Sequence, residues 1–328
     1  MAGFKALRIF EEHGKTVTRL VDATVDELDA GEVVIRAAYS SINYKDALAT
    51  TGAGRVIRRF PLIGGVDVSG TVVSSSDASI KAGDAVICTS YDLGVAHDGG
   101  FAEYVRVPAA WVVPLPAGLT LEESMCLGTA GFTAGLAVQL MEQNDLAPGN
   151  GRVLVNGATG GVSSVAIEML AGLGYETTAI TGKDSEHEYL KRLGATEVIS
   201  RHTLEMGKKP LEKMLWAGAV DSLGGEPLAW LTRTMRMHGV IASIGNASGP
   251  ELHTTVFPFI LRGVRLIGVD SVNTGMPLRR KIWQRLGSDL KPRHLADVVH
   301  KIGLDEVPAA CEKLIKAQVR GRYLVKLA

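Results

Sequence analysis

The sequence predicts an α/β protein with two domains: a doubly wound parallel sheet and a β-rich, partly open antiparallel barrel. Its 328 residues are enough for two hydrophobic cores. Residues 1–124 contain short β-branched runs separated by turns, which is typical of antiparallel strands. From residue 121 onward, helical stretches alternate with compact apolar strands, and this alternation indicates a parallel sheet with right-handed crossovers.

The antiparallel domain is predicted from β-branched runs that are bounded by turn sequences such as Ala30-Gly31. The expected strands are 32–37, 68–73 and 85–88. Later in the chain, residues 292–304 and 322–326 are predicted to return to the same domain. We therefore expect one domain to comprise 1–124 and 270–328, and the other to comprise 125–269.

The parallel sheet is predicted from apolar runs that are each followed by a helical stretch. The expected strands are 153–156, 177–181, 197–199, 219–221 and 239–244. A further apolar run at 263–269 is a candidate edge strand. Because an unpaired edge can pair with the same edge of a second copy, this run predicts a homodimer.

Composition narrows the partners and the compartment. The 35 basic residues balance the 35 acidic ones, so the sequence favours neither nucleic acid nor an anionic membrane as a partner. We find no long apolar stretch and no secretory signal pattern, and we expect a cytoplasmic protein. Cys88, Cys126 and Cys311 are far apart and form no CxxC pair, which predicts core residues rather than disulfides or a zinc site.

The segment 153–166 carries the strongest chemical signal, since it combines a buried strand, a glycine-rich turn and the start of a helix. Gly157, Gly160 and Gly161 leave room for the backbone to turn and to approach a ligand. The free N–H groups and the positive dipole end of the following helix favour an anion. This arrangement indicates a pyrophosphate site, although many such turns use glycine for packing alone.

The tip of the second strand bears on the choice of nucleotide. An acidic residue there would bind a free ribose 2′-hydroxyl, but this chain has Thr181, Gly182 and Lys183. Arg201 follows the third strand and is a second candidate cation. Two charge-assisted hydrogen bonds of roughly 1.5–3 kcal/mol each would favour NADPH over NADH by about a hundredfold or more. The alternative is that Lys183 is an ordinary solvated surface lysine.

A β-rich domain followed by a dinucleotide fold resembles the medium-chain dehydrogenase/reductase superfamily, with its GroES-like and Rossmann-type domains. The zinc-dependent members have a cysteine three residues before an aspartate, a Gly-His-Glu motif and a separate cluster of four cysteines. At the corresponding positions this chain has Asn43 and Gly65-Val66-Asp67, and it lacks the cysteine cluster. The resemblance therefore implies the zinc-free branch, and we expect no metal.

Within that branch the chain is similar, nearly from end to end, to the acrylyl-CoA reductase group. The matching segments are Ser41-Ile-Asn-Tyr-Lys-Asp-Ala47, Arg58-Arg-Phe-Pro61, Gly99-Gly-Phe-Ala-Glu103, Gly128-Thr-Ala-Gly-Phe-Thr-Ala134, Gly157-Ala-Thr-Gly-Gly161, His187-Glu-Tyr-Leu-Lys-Arg-Leu-Gly-Ala195, Leu215-Trp-Ala-Gly-Ala219, Phe257-Pro-Phe-Ile-Leu-Arg262 and Gly268-Val-Asp-Ser271. One departure is Ser163, where the group usually has glycine; its hydroxyl is expected near the phosphates.

The resemblance implies NADPH-dependent reduction of the C=C bond of acryloyl-CoA, or of a similar short enoyl-CoA. Hydride goes to the β-carbon and a proton to the α-carbon, which gives propionyl-CoA in the case of acryloyl-CoA. The implied catalytic segment contains Asn43, Tyr44 and Asp46. Tyr44 is expected at the cofactor and is a candidate proton donor, with simple packing as the alternative. Asp46 is expected to orient its neighbours.

The remaining site residues also follow from the resemblance. The implied cofactor contacts, in addition to Tyr44, are Gly157, Thr159, Gly160, Gly161, Val162, Ser163, Thr181, Gly182, Lys183, Arg201, Asn246, Ile260 and Ser271. A CoA thioester carries phosphates that require cations, and Arg55, Arg58 and Arg59 are candidates for that role. A solvated basic loop is an equally good interpretation of these arginines.

Two other functions stay open from the sequence. A quinone or 2-alkenal reductase would use the same hydride transfer to a conjugated acceptor. A non-catalytic NADPH-binding protein would need the nucleotide fold alone.

Overall fold

The computed structural model describes residues 3–327. The strands are β1 (Phe4–Glu12), β2 (Lys15–Ala23), β3 (Val33–Ile42), β4 (Leu62–Ile63), β5 (Asp67–Ser75), β6 (Ala85–Thr89), β7 (Tyr104–Val107), β8 (Val113–Pro114), β9 (Val153–Val155), β10 (Thr177–Thr181), β11 (Glu197–Ser200), β12 (Trp216–Asp221), β13 (Met235–Ser243), β14 (Arg265–Gly268), β15 (Val299–Ile302) and β16 (Arg322–Lys326). The helices are α1 (Tyr44–Thr51), α2 (Leu121–Gln143), α3 (Gly161–Gly172), α4 (His187–Arg192), α5 (Gly225–Thr234), α6 (Phe257–Arg262), α7 (Met276–Leu286), α8 (Leu295–Val298) and α9 (Val307–Ile315).

The chain forms two compact units. The first comprises the chain through Thr129, Val272–Gly287 and the chain from Leu295 onward. The second comprises Ala130–Ser271 and Ser288–His294. Relative to the predicted bounds, residues 125–129 join the first unit, and residues 270–271 and 288–294 join the second.

The first unit is built on antiparallel sheet. Seven strands pair in the order β15-β16-β3-β5-β6-β8, with β7 also on β3, and the pairs are antiparallel except for β15 with β16. A separate three-stranded sheet has the order β2-β1-β4. Alternating β-branched residues fill the core, for which Ile35 and Val68 are fully buried examples. The pairing of β3 with both β5 and β16 brings together the ends of three strands that carry polar side chains.

The second unit is a six-stranded, wholly parallel sheet in the order β11-β10-β9-β12-β13-β14. The strand order reverses between β9 and β12, because the chain first proceeds outward through β10 and β11 and then in the other direction from β12. In open sheets of this type, ligands bind at the carboxyl ends of the strands beside such a reversal. The glycine turn after β9 lies at this position.

The sequence located most strands but shortened several of them; β3, for example, was predicted as 32–37 and extends to Ile42. The predicted strand 177–181 coincides with β10, and residues 322–326, predicted to return to the first domain, form β16 in that unit. In contrast, β13 begins four residues before the predicted start at Gly239, because Arg236, Met237 and His238 are exposed and interrupt the apolar run. Similarly, β12 begins at Trp216 rather than at residue 219. All three cysteines are free and buried, as predicted.

Helix α2 is the longest helix among residues 3–327, and it is mostly apolar, with Glu122 and Glu123 in its first turn. It satisfies the length and hydropathy of a membrane span, so the prediction of no long apolar stretch is wrong at this helix, but 89% of its most apolar window is buried inside the protein. It is therefore a core helix. Gly128 interrupts its helical geometry near the amino-terminal end.

Candidate active site and nucleotide site

The first unit contains a buried carboxylate, Asp67, at the start of β5. Its Oδ2 accepts hydrogen bonds from Ser41 Oγ at 2.6 Å, Asn43 Nδ2 at 2.7 Å and the backbone N–H of Thr129 at 2.9 Å. Its Oδ1 accepts from Thr129 Oγ1 at 2.5 Å. A carboxylate removed from water is stable only if such donors replace its hydration, and these four donors do so.

A buried cation, Arg322, lies in the same cluster. Its Nη2 donates to Ser41 Oγ at 2.9 Å, and its Nε donates to the carbonyl oxygen of Cys126 at 2.9 Å. Two longer contacts of 3.5 Å join the guanidinium to Asn43 Oδ1. Ser41 and Asn43 therefore bridge Arg322 to Asp67, which compensates two charges that the fold has desolvated.

Gly128 leaves the space in which this cluster lies. Its φ of 50° and ψ of −155° are a conformation that residues other than glycine adopt only under strain. A Cβ at this position would lie 2.5 Å from Asp67 Oδ2 and 2.8 Å from Arg322 Nη2, and closer still to Ser41 Oγ. The interruption of α2 is therefore a requirement of the buried cluster.

A second buried carboxylate, Asp46, fixes the start of α1. Its Oδ2 accepts from the backbone N–H of Asn43 at 2.8 Å, and its Oδ1 accepts from the backbone N–H of Val66 at 2.9 Å. Burial, and then the negative charge of Asp67, raise the pKa of Asp46 to about 7. Asp46 thus ties α1 to the chain that enters β5, and it titrates near neutral pH.

The three predicted catalytic residues have different environments. The amide hydrogens of Asn43 are directed to Asp67 at 2.7 Å and to Asp46 at 3.3 Å. The amide hydrogens of Asn43 and both carboxylate oxygens of Asp46 are therefore engaged within the protein. Tyr44 is the first residue of α1, and 54% of its surface is exposed. Of the three, Tyr44 presents its side chain to solvent.

In the second unit, the glycine turn is shaped for an anion. Gly157 has a φ of +56°, which glycine adopts without strain, and α3 begins at Gly161. No side chain caps α3 at Gly160. The N–H groups of its first turn are therefore left for a ligand, which is the arrangement that a dinucleotide pyrophosphate requires. Thr159 is buried in the turn, and Val162 is partly exposed.

The predicted role of the Ser163 hydroxyl is wrong. Ser163 is 1% exposed, and its Oγ donates to the carbonyl oxygen of Asn156 at 2.8 Å and contacts Ser222 Oγ at 2.7 Å. The side chain points into the sheet because two polar partners lie there, at the ends of the neighbouring strands β9 and β12. Only the backbone of Ser163 can take part in the helix terminus.

Sequence reasoning missed the polar pair beneath the glycine turn. Asn156 Nδ2 donates to Asp221 Oδ1 at 2.5 Å, and Asn156 Oδ1 accepts from the backbone N–H of Ser222 at 2.7 Å. Asp221 also accepts from the backbone N–H of Gly224 at 3.0 Å. Burial raises the pKa of Asp221. The sequence contained one signal for this pair, because Asn156 and Asp221 each lie at the end of an apolar strand run. The two strands, β9 and β12, are adjacent in the sheet.

The predicted adenosine residues lie together. Thr181 Oγ1 accepts from the backbone N–H of Lys183 at 3.0 Å, and the guanidinium of Arg201 lies against Gly182, where a Cβ would be 3.0 Å from its Cζ. Partial burial lowers the pKa of Lys183, while Glu186 opposes this effect. Partial desolvation of the Lys183 ammonium favours an anionic partner at the strand tip.

The other predicted nucleotide residues are spread over the second unit. Asn246 is exposed in the loop after β13, and its Cα would be 3.2 Å from a Cβ on Gly224. Ile260 is 68% exposed on α6. Ser271 is partly exposed three residues after β14.

One of the three predicted CoA-binding arginines is already engaged. Arg59 pairs with Asp29, and its Nε donates to the carbonyl oxygen of Ala96 at 3.0 Å. Its guanidinium is thus engaged within the protein, and a CoA phosphate would have to displace these contacts. Arg58 pairs with Asp92 at 3.1 Å on the surface, and Arg55 is exposed. Surface pairs of this kind contribute little free energy, so Arg58 can still exchange its partner.

Residues 3–327 contain no group of three or more His, Cys, Asp or Glu side chains placed to hold a metal ion. Asn43 and Asp67, which lie in the segments that correspond to the zinc-ligand motifs, hydrogen-bond to each other, and Ser41 links Asp67 to Arg322.

Comparisons with known families agree with this architecture. Residues 29–117 match the family described as "Alcohol dehydrogenase GroES-like domain", and residues 161–286 match "Zinc-binding dehydrogenase". A GroES-like domain combined with a nucleotide-binding parallel sheet defines a medium-chain dehydrogenase/reductase. The chain belongs to that superfamily, which confirms the predicted fold class.

Three relatives are similar over nearly their full length. The protein named "Putative quinone oxidoreductase YhfP" from Bacillus subtilis is 47% identical over 99% of both chains, and its structure with NAD bound superposes with a TM-score of 0.98 over 100% of both chains. "Acrylyl-CoA reductase AcuI" from Ruegeria pomeroyi is 43% identical over 96% of both chains. The yhdH oxidoreductase from Salmonella enterica in complex with NADP is 45% identical, with a TM-score of 0.96 over 99% of this chain and 100% of its own. The predicted resemblance to the acrylyl-CoA reductase group is confirmed.

The raised pKa of Asp46 makes a prediction about stability. For a group whose pKa is raised on folding, the stabilisation is complete below the unfolded value of 3.8 and is lost as the pH rises through about 7. Between these values, wild type should lose up to roughly 4 kcal/mol relative to Asp46→Asn, which carries no ionisable group there. At acidic pH the variant should be the less stable protein, because an amide has one acceptor oxygen for the two backbone N–H groups.

Urea unfolding of both proteins at about pH 5 and about pH 8 measures about 2.6 kcal/mol of this difference, because the unfolded carboxyl group is already largely ionised at pH 5. Asp305→Asn, which changes a carboxylate that is not in the buried cluster, is the control and should follow wild type. Parallel pH dependence in wild type and Asp46→Asn would contradict the assignment.

Proposed function

We propose that the chain reduces the C=C bond of acryloyl-CoA, or of a similar short enoyl-CoA, with NADPH as the hydride donor, and that acryloyl-CoA gives propionyl-CoA. The observation that carries the proposal is the full-length similarity to a protein named acrylyl-CoA reductase. The buried cluster supports it, because the residues at the zinc positions of the alcohol dehydrogenases hold one another by hydrogen bonds. Such a centre suits reduction of a conjugated acceptor.

NADPH is proposed as the cofactor on the evidence of the strand tip. The relatives alone leave the nucleotide open, since one structure contains NADP and another contains NAD. In this chain the strand tip, residues 181–183, contains no acidic residue, and Lys183 and Arg201 flank Gly182. Two cations and a hydroxyl favour a ribose 2′-phosphate over a 2′-hydroxyl. Thr159, Gly160, Gly161 and Val162 would bind the pyrophosphate.

When bound, the nicotinamide supplies the hydride. The residues of this chain supply position and a proton. Asp46 and Asp67 hold Asn43 from two sides, which fixes the backbone from which Tyr44 projects. We propose that the phenol of Tyr44 donates the proton to the α-carbon or hydrogen-bonds to the developing enolate. Asn43 and Asp46 orient Tyr44 and do not exchange protons with substrate.

A quinone or 2-alkenal reductase is the second candidate. The relative at 47% identity carries the name of a quinone oxidoreductase, which is a specific reason to keep it. Both reactions transfer hydride to a carbon conjugated with a carbonyl group. They differ in the need for cations that bind CoA phosphates, for which Arg55 and Arg58 are the available candidates.

We further propose a cytoplasmic homodimer without nucleic-acid or membrane partners. Strand β14 is at the edge of its sheet. Nearby in the chain, α6 and the residue before it expose the apolar side chains of Val256 (62%), Phe257 (44%), Ile260 (68%) and Leu261 (55%). Pairing of two β14 edges would give a continuous sheet, and a second copy would cover such an apolar surface. Burial of α2 and of the cysteines supports the compartment.

The proposed reaction is tested by offering purified protein several acceptors in turn. With NADPH present, acryloyl-CoA should be reduced with the highest kcat/KM, and acrolein, free acrylate and benzoquinone with lower values. Loss of nicotinamide absorbance measures the rate, and mass spectrometry of propionyl-CoA confirms the product. Fastest turnover of benzoquinone would favour the second candidate. No consumption with any acceptor would leave a nucleotide-binding protein without this activity.

The role of Tyr44 is tested by Tyr44→Phe. If the phenol supplies the proton or the enolate hydrogen bond, kcat should fall by about a hundredfold, the usual contribution of general acid catalysis. Stopped-flow measurement of NADPH oxidation gives this value. Tyr104→Phe is the matched control, since Tyr104 packs against Phe4 in the same unit and should behave as wild type. A rate for Tyr44→Phe within about twofold of wild type would eliminate the acid role.

A further inference from the structure

A short 3₁₀ turn, Arg201–Thr203, follows β11 and lies beside the adenosine end of the nucleotide site. Ser200 begins it: its Oγ accepts from the backbone N–H of His202 at 3.3 Å, and its carbonyl accepts from Thr203 Oγ1 at 3.2 Å. Pairing of Thr181 with Ser200 places the turn next to the tip of β10. The direction of the His202 side chain is therefore set by local bonds and by sheet register.

Arg201 and His202 hold Gly182 from two sides. The guanidinium of Arg201 lies against the Gly182 Cα, where a Cβ would approach its Nη2 to 3.0 Å. His202 Nε2 is 3.1 Å from the carbonyl oxygen of Gly182. Since a carbonyl oxygen only accepts, Nε2 carries the hydrogen in this contact. The imidazole thus fixes the peptide that joins Gly182 to Lys183.

That peptide connects the two proposed phosphate ligands. On its far side, the backbone N–H of Lys183 is held by Thr181 Oγ1 at 3.0 Å. With His202 on the Gly182 carbonyl, the N–H and C=O of one peptide group are both fixed before any ligand arrives. A binding loop ordered in advance loses less conformational entropy on binding, so its contacts contribute more to affinity.

We propose that His202 is a positioning residue that sets the preference of this chain for NADPH over NADH. It acts through Gly182, by holding Lys183 and Arg201 on the same side of the strand tip. The inference rests on the proposed NADPH dependence. It adds His202 to the residues at 181–183 and Arg201 that the sequence pattern already indicated. The competing interpretation is that His202, an exposed side chain, only stabilises the local turn.

The two interpretations differ in selectivity. Loss of a general structural bond would weaken both nucleotides alike, because they share the pyrophosphate and both riboses. Loss of a bond that orders the 2′-phosphate ligands would weaken only NADPH. Steady-state kcat and KM for NADPH and NADH, and the Kd of 2′,5′-ADP and 5′-AMP measured by calorimetry, separate these cases. Binding of 2′,5′-ADP and of 5′-AMP can be measured without an acceptor substrate.

His202→Ala should weaken binding of 2′,5′-ADP and raise the KM for NADPH by about five- to tenfold, the effect of one hydrogen bond. The values for NADH and 5′-AMP should change by less than about twofold, a few tenths of a kcal/mol. His202→Gln retains an N–H donor on a long side chain and should restore most of the NADPH preference. His300→Ala is the matched control, because His300 is also exposed and its Nε2 contacts a carbonyl oxygen, that of Arg320, at 3.0 Å.

The other possible results would overturn either the role of His202 alone or the NADPH proposal as well. If wild type prefers NADPH and His202→Ala keeps the same NADPH-to-NADH ratio, the role of His202 is overturned while the cofactor proposal stands. An equal loss for both nucleotides, or failure of His202→Gln to restore the ratio, also overturns it. If wild type itself binds 2′,5′-ADP no more tightly than 5′-AMP, the NADPH proposal fails first and the role of His202 fails with it.

Discussion

The fold of the first unit depends on satisfying the buried carboxylate of Asp67. A fully desolvated carboxylate needs several donors and a compensating cation, or its burial would cost several kcal/mol. Ser41, Asn43 and Thr129 supply the donors, and Arg322 supplies the positive charge through Ser41 and Asn43. These residues come from four separate parts of the chain, so the cluster forms only when β3, β5, β16 and the start of α2 are all in place.

The same cluster determines what the site can do chemically. Asn43 is held by Asp67 and by Asp46, and α1 therefore begins at a fixed point with Tyr44 as its first residue. In a metal-dependent relative a cation would perform the polarising step. Here the polar atoms of Asn43 and Asp67 are used to organise the protein, and the phenol of Tyr44 is exposed. Asp46 links this organisation to pH, because its pKa of about 7 lies in the physiological range.

Most of the fold and part of the site could be predicted from the sequence. Periodicity located β10 to the residue, and glycine spacing located the turn at which α3 begins. The Asp67 cluster could not be found this way, because Arg322 is 255 positions further along the chain and only the pairing of β16 with β3 brings it close. Ser163 was misplaced for a related reason: its partners Asn156 and Ser222 lie on neighbouring strands. The ion pair of Arg59 with Asp29 was not predicted, because Asp29 is remote in sequence.

The central claim is that Arg322 and Asp67 stabilise each other across Ser41 and Asn43. A double-mutant cycle of Asp67→Asn, Arg322→Gln and the double variant measures it directly, with the free energy of unfolding obtained from denaturant titration. Each single change should cost about 3–5 kcal/mol, because it leaves one buried charge without its partner. The double variant should cost far less than the sum, with an interaction energy of about 2 kcal/mol or more. Additivity to within about 0.5 kcal/mol would contradict the claim.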